Sequence, residues 1–276
     1  MRANMLTYTS QDSPVHRLTG ATKLILFVVW SVTGMITYDT RCLIAMLLFS
    51  LLAFRISKVQ FQDFAFVLYF ILFFFMLNQI AIFIFSPLEG VRIYGTRHDI
   101  VHIIGRYTVT WEQLFYQFNI ALKYAVVIPM ALLFLLTTNP SEFAASLNRI
   151  GVNYKIAYSV SLALRYIPDI QRDYENISFS AQARGIDISR KEKIFKRLKN
   201  IVSILMPLIL SSIERIENIS TAMELRGFGT KSKRTWYNSR PFSKNDYIAV
   251  FIFAMIAVLT MVLTFYDGSR FYNIFD

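Results

Sequence analysis

AFVLYFILFFFMLNQIAIFIF, residues 65–85, carries no charged side chain in 21 positions. An α-helix needs about 20 such residues to cross roughly 30 Å of hydrocarbon, so this run reads as a membrane span. The stretch YIAVFIFAMIAVLTMVLTFY, residues 247–266, has the same character and reads the same way. Composition agrees, because 55% of the 276 residues are hydrophobic and only 17% are charged, against about a quarter charged in soluble domains. Lipid is therefore the expected solvent of this chain.

Outward from these runs lie three less clean apolar segments, Leu24–Tyr38, Cys42–Phe54 and Leu114–Thr138, the last interrupted by Lys123 and Pro129. The first two are short and are joined by Asp39-Thr40-Arg41, which predicts a hairpin that either crosses twice or dips in and returns. Residues 91–95 and 101–109 predict a small extracellular hairpin within 88–110. The start of the chain has no basic, apolar and small-residue order, so no cleaved signal peptide is expected. Cys42 is the only cysteine, which excludes an internal disulfide framework.

Lys and Arg outnumber Asp and Glu by 29 to 18 over the chain, and by 18 to 9 within residues 138–245. Basic loops tend to stay on the cytoplasmic side, which places this stretch inside. Arg2, Arg17 and Lys23 before the first segment, and Arg55 and Lys58 after the second, agree with that side. The N-terminus is then cytoplasmic, residues 86–111 lie outside, and the C-terminus is extracytoplasmic. Three regions follow: 1–138, a membrane region of about four spans; 139–245, a cytoplasmic region; and 246–276, a C-terminal transmembrane helix with a short outer tail. No nucleic-acid partner is expected, because the basic residues alternate with Ile, Leu and acids rather than with exposed aromatics.

Within the cytoplasmic region, Asn139-Pro140-Ser141-Glu142 has the capping residue, first-turn proline and third-position Glu of a helix start. A short helix over 140–150 is broken by Gly151-Val152-Asn153. Two long amphipathic helices follow, at about 154–184 and 192–226. Apolar residues recur at three- and four-residue spacing, Ile167, Tyr174, Ile177 and Ala181 in the first and Leu205, Ile216, Ile219 and Met223 in the second. These predict the faces by which the helices pack, with Asp173 and Arg215 off those faces. Pro168 and Pro207 predict a bend in each.

The ends of the two helices repeat each other at an offset of 42 residues. Glu175-Asn176-Ile177-Ser178 matches Glu217-Asn218-Ile219-Ser220, and five residues further each reaches Arg-Gly, at Arg184-Gly185 and Arg226-Gly227. A glycine just past a helix end and a cation in its last turn are ordinary capping chemistry. Duplicated in the same helical phase, they suit two equivalent partner surfaces, with guanidinium forks donating to carboxylates or carbonyls.

These residues resemble the transmembrane coupling subunit, the T component, of energy-coupling factor transporters, ABC-type importers of vitamins and transition metals. Ala183-Arg184-Gly185 fits the Ala-Arg-Gly-like motif of that family fully, and Leu225-Arg226-Gly227 departs at its first position only. Ser13-Pro14-Val15-His16-Arg17-Leu18 with Thr22-Lys23, and Ala222 to Gly229, also resemble family motifs. The resemblance implies an all-α membrane protein of about five transmembrane helices plus long amphipathic cytoplasmic coupling helices, in a prokaryotic plasma membrane. It implies a non-enzymatic scaffold with no cofactor, whose Arg tips enter grooves of two ABC-type ATPase subunits. The membrane helices and the apolar coupling faces would hold one small membrane substrate-binding subunit, which chooses the cargo.

Other signals are weaker. His98 and His102 have a spacing that would place both on one helix or strand face, but two histidines fall short of the usual four zinc ligands, and no metal site is expected. Lys123 is expected to snorkel toward the outer interface. No glycine-rich phosphate loop, nucleophile motif or clustered acid pair is present. An enzyme of lipid metabolism would ordinarily show Asp-rich metal motifs, and a stand-alone secondary transporter more spans and inverted repeats.

Overall fold

The computed structural model describes residues 13–104, 107–186, 193–231, 235–236, 240–266 and 269–275. In chain order the elements are α1 (Pro14–Arg17), α2 (Gly20–Ile36), α3 (Thr40–Ile56), α4 (Phe61–Phe85), α5 (Glu89–Tyr94), β1 (Asp99–Ile104), β2 (Tyr107–Thr110), α6 (Trp111–Thr137), α7 (Pro140–Arg149), α8 (Tyr154–Ala183), α9 (Ile194–Leu225) and α10 (Lys244–Phe265). They form two compact units, residues 1–139 with 240–276, and residues 140–239. The chain is an all-α membrane protein: α4, α6 and α10 are each long and apolar enough to cross a bilayer.

In the first unit α2 and α10 run side by side in the same direction. At one end the Asp246 carboxylate accepts the Thr19 backbone N–H (2.8 Å) and the Ser243 N–H (2.7 Å), capping both helices with one side chain. At the other, the Thr37 and Thr264 hydroxyls meet at 2.6 Å. From these two ties α2 runs the same length of the bundle as α10, about 27 Å at 1.5 Å per residue. Removing a shared cap leaves two N-termini short of an acceptor. Asp246→Ala is therefore expected to cost about 2 kcal/mol, and Asp246→Asn, which keeps an acceptor, less; thermal unfolding in detergent checks both.

Lysines tie α2 to α6 at both ends. Lys23, in the first turn of α2, donates to the Thr137 carbonyl in the last turn of α6 (2.7 Å). Lys123 of α6 donates to the Met35 carbonyl near the end of α2 (2.7 Å) and lies 3.1 Å from the Tyr38 ring centroid. Each ammonium thus satisfies a terminal carbonyl of the antiparallel neighbour, where the helix dipole is negative. Lys123 does not snorkel: it is 5% exposed, because a carbonyl acceptor and an aromatic face are within reach inside the bundle. α6 continues through Pro129.

Trp30, Phe49 and Phe253 join α2, α3 and α10, with ring centroids 5.1 to 5.3 Å apart. Leu43, Met46, Val126 and Met130 complete that core. α4 packs more lightly. The Gln79 and Gln117 amides each donate to the other's backbone carbonyl (3.2 Å), while Phe66, Phe70, Phe73 and Phe85 remain exposed.

Residues 91–95 do not pair as a strand. They belong to α5, which ends at Gly95 in the left-handed conformation (φ 73°), and the hairpin is β1 with β2 alone. What fixes α5 is contact with the start of α6. The Gly90 N–H donates to Gln113 Oε1 (2.9 Å), and fully buried Glu112 accepts from the His98 N–H (3.1 Å) and the Thr96 hydroxyl (3.1 Å) and meets His98 Nδ1 at 2.6 Å. Burial pushes the Tyr94 phenol up to about 12, so it stays neutral while accepting from Asn119 Nδ2 (3.4 Å). The C-terminal residues close the same end: the Tyr38 N–H donates to the Arg270 carbonyl (3.0 Å), and Phe275 packs on Tyr94 and Phe115.

In the second unit α7 packs on α8, and α8 on α9. Pro168 and Pro207 both lie inside helices that continue past them.

Candidate functional site: two arginine tips on crossed helices

Both long helices end in the same backbone device. At the end of α8 the Gly185 N–H donates to the Gln182 carbonyl (2.9 Å) and the Ile186 N–H to the Ala181 carbonyl (3.1 Å). At the end of α9 the Gly227 N–H donates to the Glu224 carbonyl (2.8 Å) and the Phe228 N–H to the Met223 carbonyl (2.9 Å). This nested pair of bonds requires a left-handed residue after the cap, which Gly185 (φ 84°) and Gly227 (φ 65°) supply without a Cβ penalty. Arg184 and Arg226 are the capping residues themselves, with nearly equal torsions, φ −89°, ψ 9° and φ −86°, ψ 10°. The sequence repeat is thus a repeat of structure.

Ala183, Arg184, Gly185, Leu225 and Arg226 are exposed, Leu225 at 85%. Gly227 is half-buried. At the second tip Phe228 packs on Tyr154 and Tyr158 with centroids 5.7 and 4.9 Å apart.

The helices meet through an ion pair between repeat-equivalent residues. Arg215 Nη2 lies 2.6 Å from Asp173 Oδ2, and the two positions are 42 residues apart, the offset of the repeat. Moving from this pair to the contact of Phe228 with Tyr158, the chain advances along α9 and retreats along α8. The helices therefore run in opposing directions, with the repeat-equivalent positions Asp173 and Arg215 in contact between them. Eleven residues separate Asp173 from Arg184 and Arg215 from Arg226, so each cation sits about 16 Å out along its own arm at 1.5 Å per residue. The two tips point away from each other.

On α9 Ile204 and Leu208 are buried and Ser212, Arg215, Ile219 and Met223 half-buried, and on α8 Asp173, Ile177, Ser178 and Ala181 are at least half-buried. Ile167, Pro168, Tyr174, Leu205, Pro207 and Ile216 are exposed. Asp173 and Arg215, read as off the face, lie on it, because neutralising each other lets a charged pair occupy a packing stripe. Asp173→Arg is expected to weaken the crossing by about 1 kcal/mol, the pair being partly solvated. The exchanged pair Asp173→Arg, Arg215→Asp is expected to recover it, with thermal stability and uptake as readouts.

The two histidines take separate partners, His98 with Glu112 and His102 with the Thr108 hydroxyl (2.8 Å). Among the described residues no three metal-ligating side chains come together.

A family described as CbiQ, cobalt transport protein, matches residues 11–237. The chain is also similar to curated proteins named energy-coupling factor transporter transmembrane protein EcfT. That of Bacillus selenitireducens is 28% identical over 278 residues, covering 95% of this chain and 97% of that protein. That of Lactococcus lactis subsp. cremoris is 26% identical over 270 residues (94% and 97%), and that of Streptococcus thermophilus 28% identical over 274 residues (95% and 97%).

Proposed function

The chain belongs to the CbiQ family of cobalt transport proteins, and from that premise we propose that it is the coupling subunit of an energy-coupling factor importer, carrying the motion of two ATPase subunits to a substrate-binding membrane subunit. The observation that supports this most strongly is the pair of exposed, identically capped arginine tips on opposing arms of one crossing. A single motor would need one grip; two equivalent motors related by a two-fold axis need two, on opposite sides.

In this reading residues 140–239 lie in the cytoplasm, the N-terminus is cytoplasmic and the C-terminus extracytoplasmic, in a prokaryotic plasma membrane. Arg184 and Arg226 donate from fixed positions to acceptors in a groove of each ATPase, and Ala183 and Leu225 pack beside them. When ATP draws the two ATPases together, the arms turn about the Asp173–Arg215 crossing. The exposed apolar faces of the arms and of α4 pass that turn to the substrate-binding subunit, which releases a vitamin or metal ion inward. Hydrolysis is the work of the partners, and the chain itself needs no cofactor.

Co-expression with the ATPase genes followed by purification on this chain tests the stoichiometry. Two ATPase polypeptides per chain are expected. Recovery of one, or of none, from a correctly inserted chain would refute the two-grip arrangement.

A further inference from the structure

The sequence repeat ends at its glycines. At the same 42-residue offset Phe228 corresponds to Ile186, and the two tyrosines it packs on, Tyr154 and Tyr158, correspond to Lys196 and Asn200. The copy that ends in Arg226 therefore carries rings at three positions where the copy that ends in Arg184 has none. Phe228 lies two residues past Arg226, and its backbone N–H closes the helix cap on the Met223 carbonyl (2.9 Å), so the turn that carries the arginine also places the ring. Tyr154 is 6% exposed, and Tyr158 packs on Trp236 as well as on Phe228, with centroids 6.3 Å apart. Trp236 Nε1 donates to Asn148 Oδ1 (3.0 Å), and Asn148 Nδ2 to the Val152 carbonyl (2.9 Å).

The end of α9 is thus fastened to the corner between α7 and α8, and α7 follows α6 after two residues. Arg184 stands 26 residues beyond Tyr158, about 39 Å along α8 at 1.5 Å per residue. A helix cap fixes an arginine's backbone relative to its own helix, but not that helix end relative to the next. The ring contacts supply the second constraint at Arg226, and a grip held in its docked arrangement loses less freedom on binding. We propose that Phe228 is a positioning residue for the Arg226 grip: clasped by Tyr154 and Tyr158, it holds the Arg226 turn to the α7–α8 corner, so that the pull of one ATPase enters the chain beside its connection to α6. The inference rests on the docking of ATPases at the arginine tips, and it makes the two grips mechanically unequal.

The test uses the full chain co-purified with its ATPases, and measures by dilution the affinity for the ATPase that remains in the Arg184→Ala and Arg226→Ala chains. In Arg184→Ala, where Arg226 is the remaining grip, adding Phe228→Ala is expected to weaken retention roughly tenfold, the worth of two ring contacts. Phe228→Tyr, which keeps the ring, is expected to recover most of that loss, and Tyr158→Ala to reproduce it. In Arg226→Ala, where the Arg184 grip remains, adding Phe228→Ala is expected to cause no further loss, since a residue that acts through Arg226 has nothing left to act on. Equal losses in the two backgrounds, the mark of a general loosening of residues 140–239, would overturn the proposal. So would unchanged retention when Phe228→Ala is added to Arg184→Ala. If neither arginine variant loses an ATPase, the docking reading falls and the clasp with it, a result distinct from both of these.

Discussion

Replacing Arg184 and Arg226 together by alanine is expected to free the ATPase subunits and abolish uptake while the chain remains in the membrane. The backbone carrying each arginine is fixed at a helix end by two backbone bonds and a left-handed glycine, so the turn that presents the side chain is formed before it meets its acceptors. A charge-assisted hydrogen bond of this kind contributes about 2 kcal/mol, roughly 30-fold in affinity per tip. The single variants are expected to retain one ATPase each and to show that partial loss. Lysine at either position keeps the charge but not the planar fork, and is expected to fall between arginine and alanine. Gly185→Ala and Gly227→Ala are expected to act in the same direction by disturbing the turn that aims the cation.

Gly90→Val is expected to destabilise the membrane unit more than any surface change. A Cβ at residue 90 would lie 2.3 Å from the Glu112 carbonyl oxygen and 2.5 Å from the Gln113 nitrogen, far inside van der Waals contact. The opposing backbone has little room to yield, because Glu112 is tied to His98 and Thr96, and the Gly90 N–H is itself bonded to Gln113. Overpacking of this severity costs about 3 kcal/mol or more, corresponding to a fall of roughly 10 °C in Tm. An unchanged Tm would mean that α5 and α6 do not approach as closely as described. Cargo uptake should fall in parallel, since α5 and the C-terminal residues close one end of the bundle.

Long apolar runs and helical periodicity made the membrane class and the long helices readable from sequence, because one solvent and one period dominate those stretches. Legibility failed where a residue's role depends on a distant partner. Lys123 looked like a snorkelling cation because nothing in its own segment shows that the Met35 carbonyl and the Tyr38 ring wait beside it. Residues 91–95 looked extended because Val, Ile and Tyr favour strands, and the Gly90 contact with α6 that settles their helical form lies 22 residues away in the chain.

The candidate site divides in the same way. The Arg-Gly duplication was visible as a repeat, and the structure adds that the two copies share a cap down to their torsions. The packing face was harder to read, because α9 carries two apolar stripes, one buried through Ile204 and Leu208 and one exposed through Val202 and Met206. Periodicity finds apolar stripes without saying which of them meets the neighbouring helix. It also assigns charges to solvent, so the Asp173–Arg215 pair at the crossing could be recognised only once both helices were in place.

Benzoylphenylalanine placed singly at Ala183 and at Leu225, followed by illumination of the assembled transporter, addresses the docking of the tips most directly. Each position is expected to cross-link to an ATPase subunit, and a chain carrying both to bridge two ATPases in one covalent product. Cross-links from both positions to the substrate-binding subunit or to lipid, with the ATPases untouched, would contradict the account.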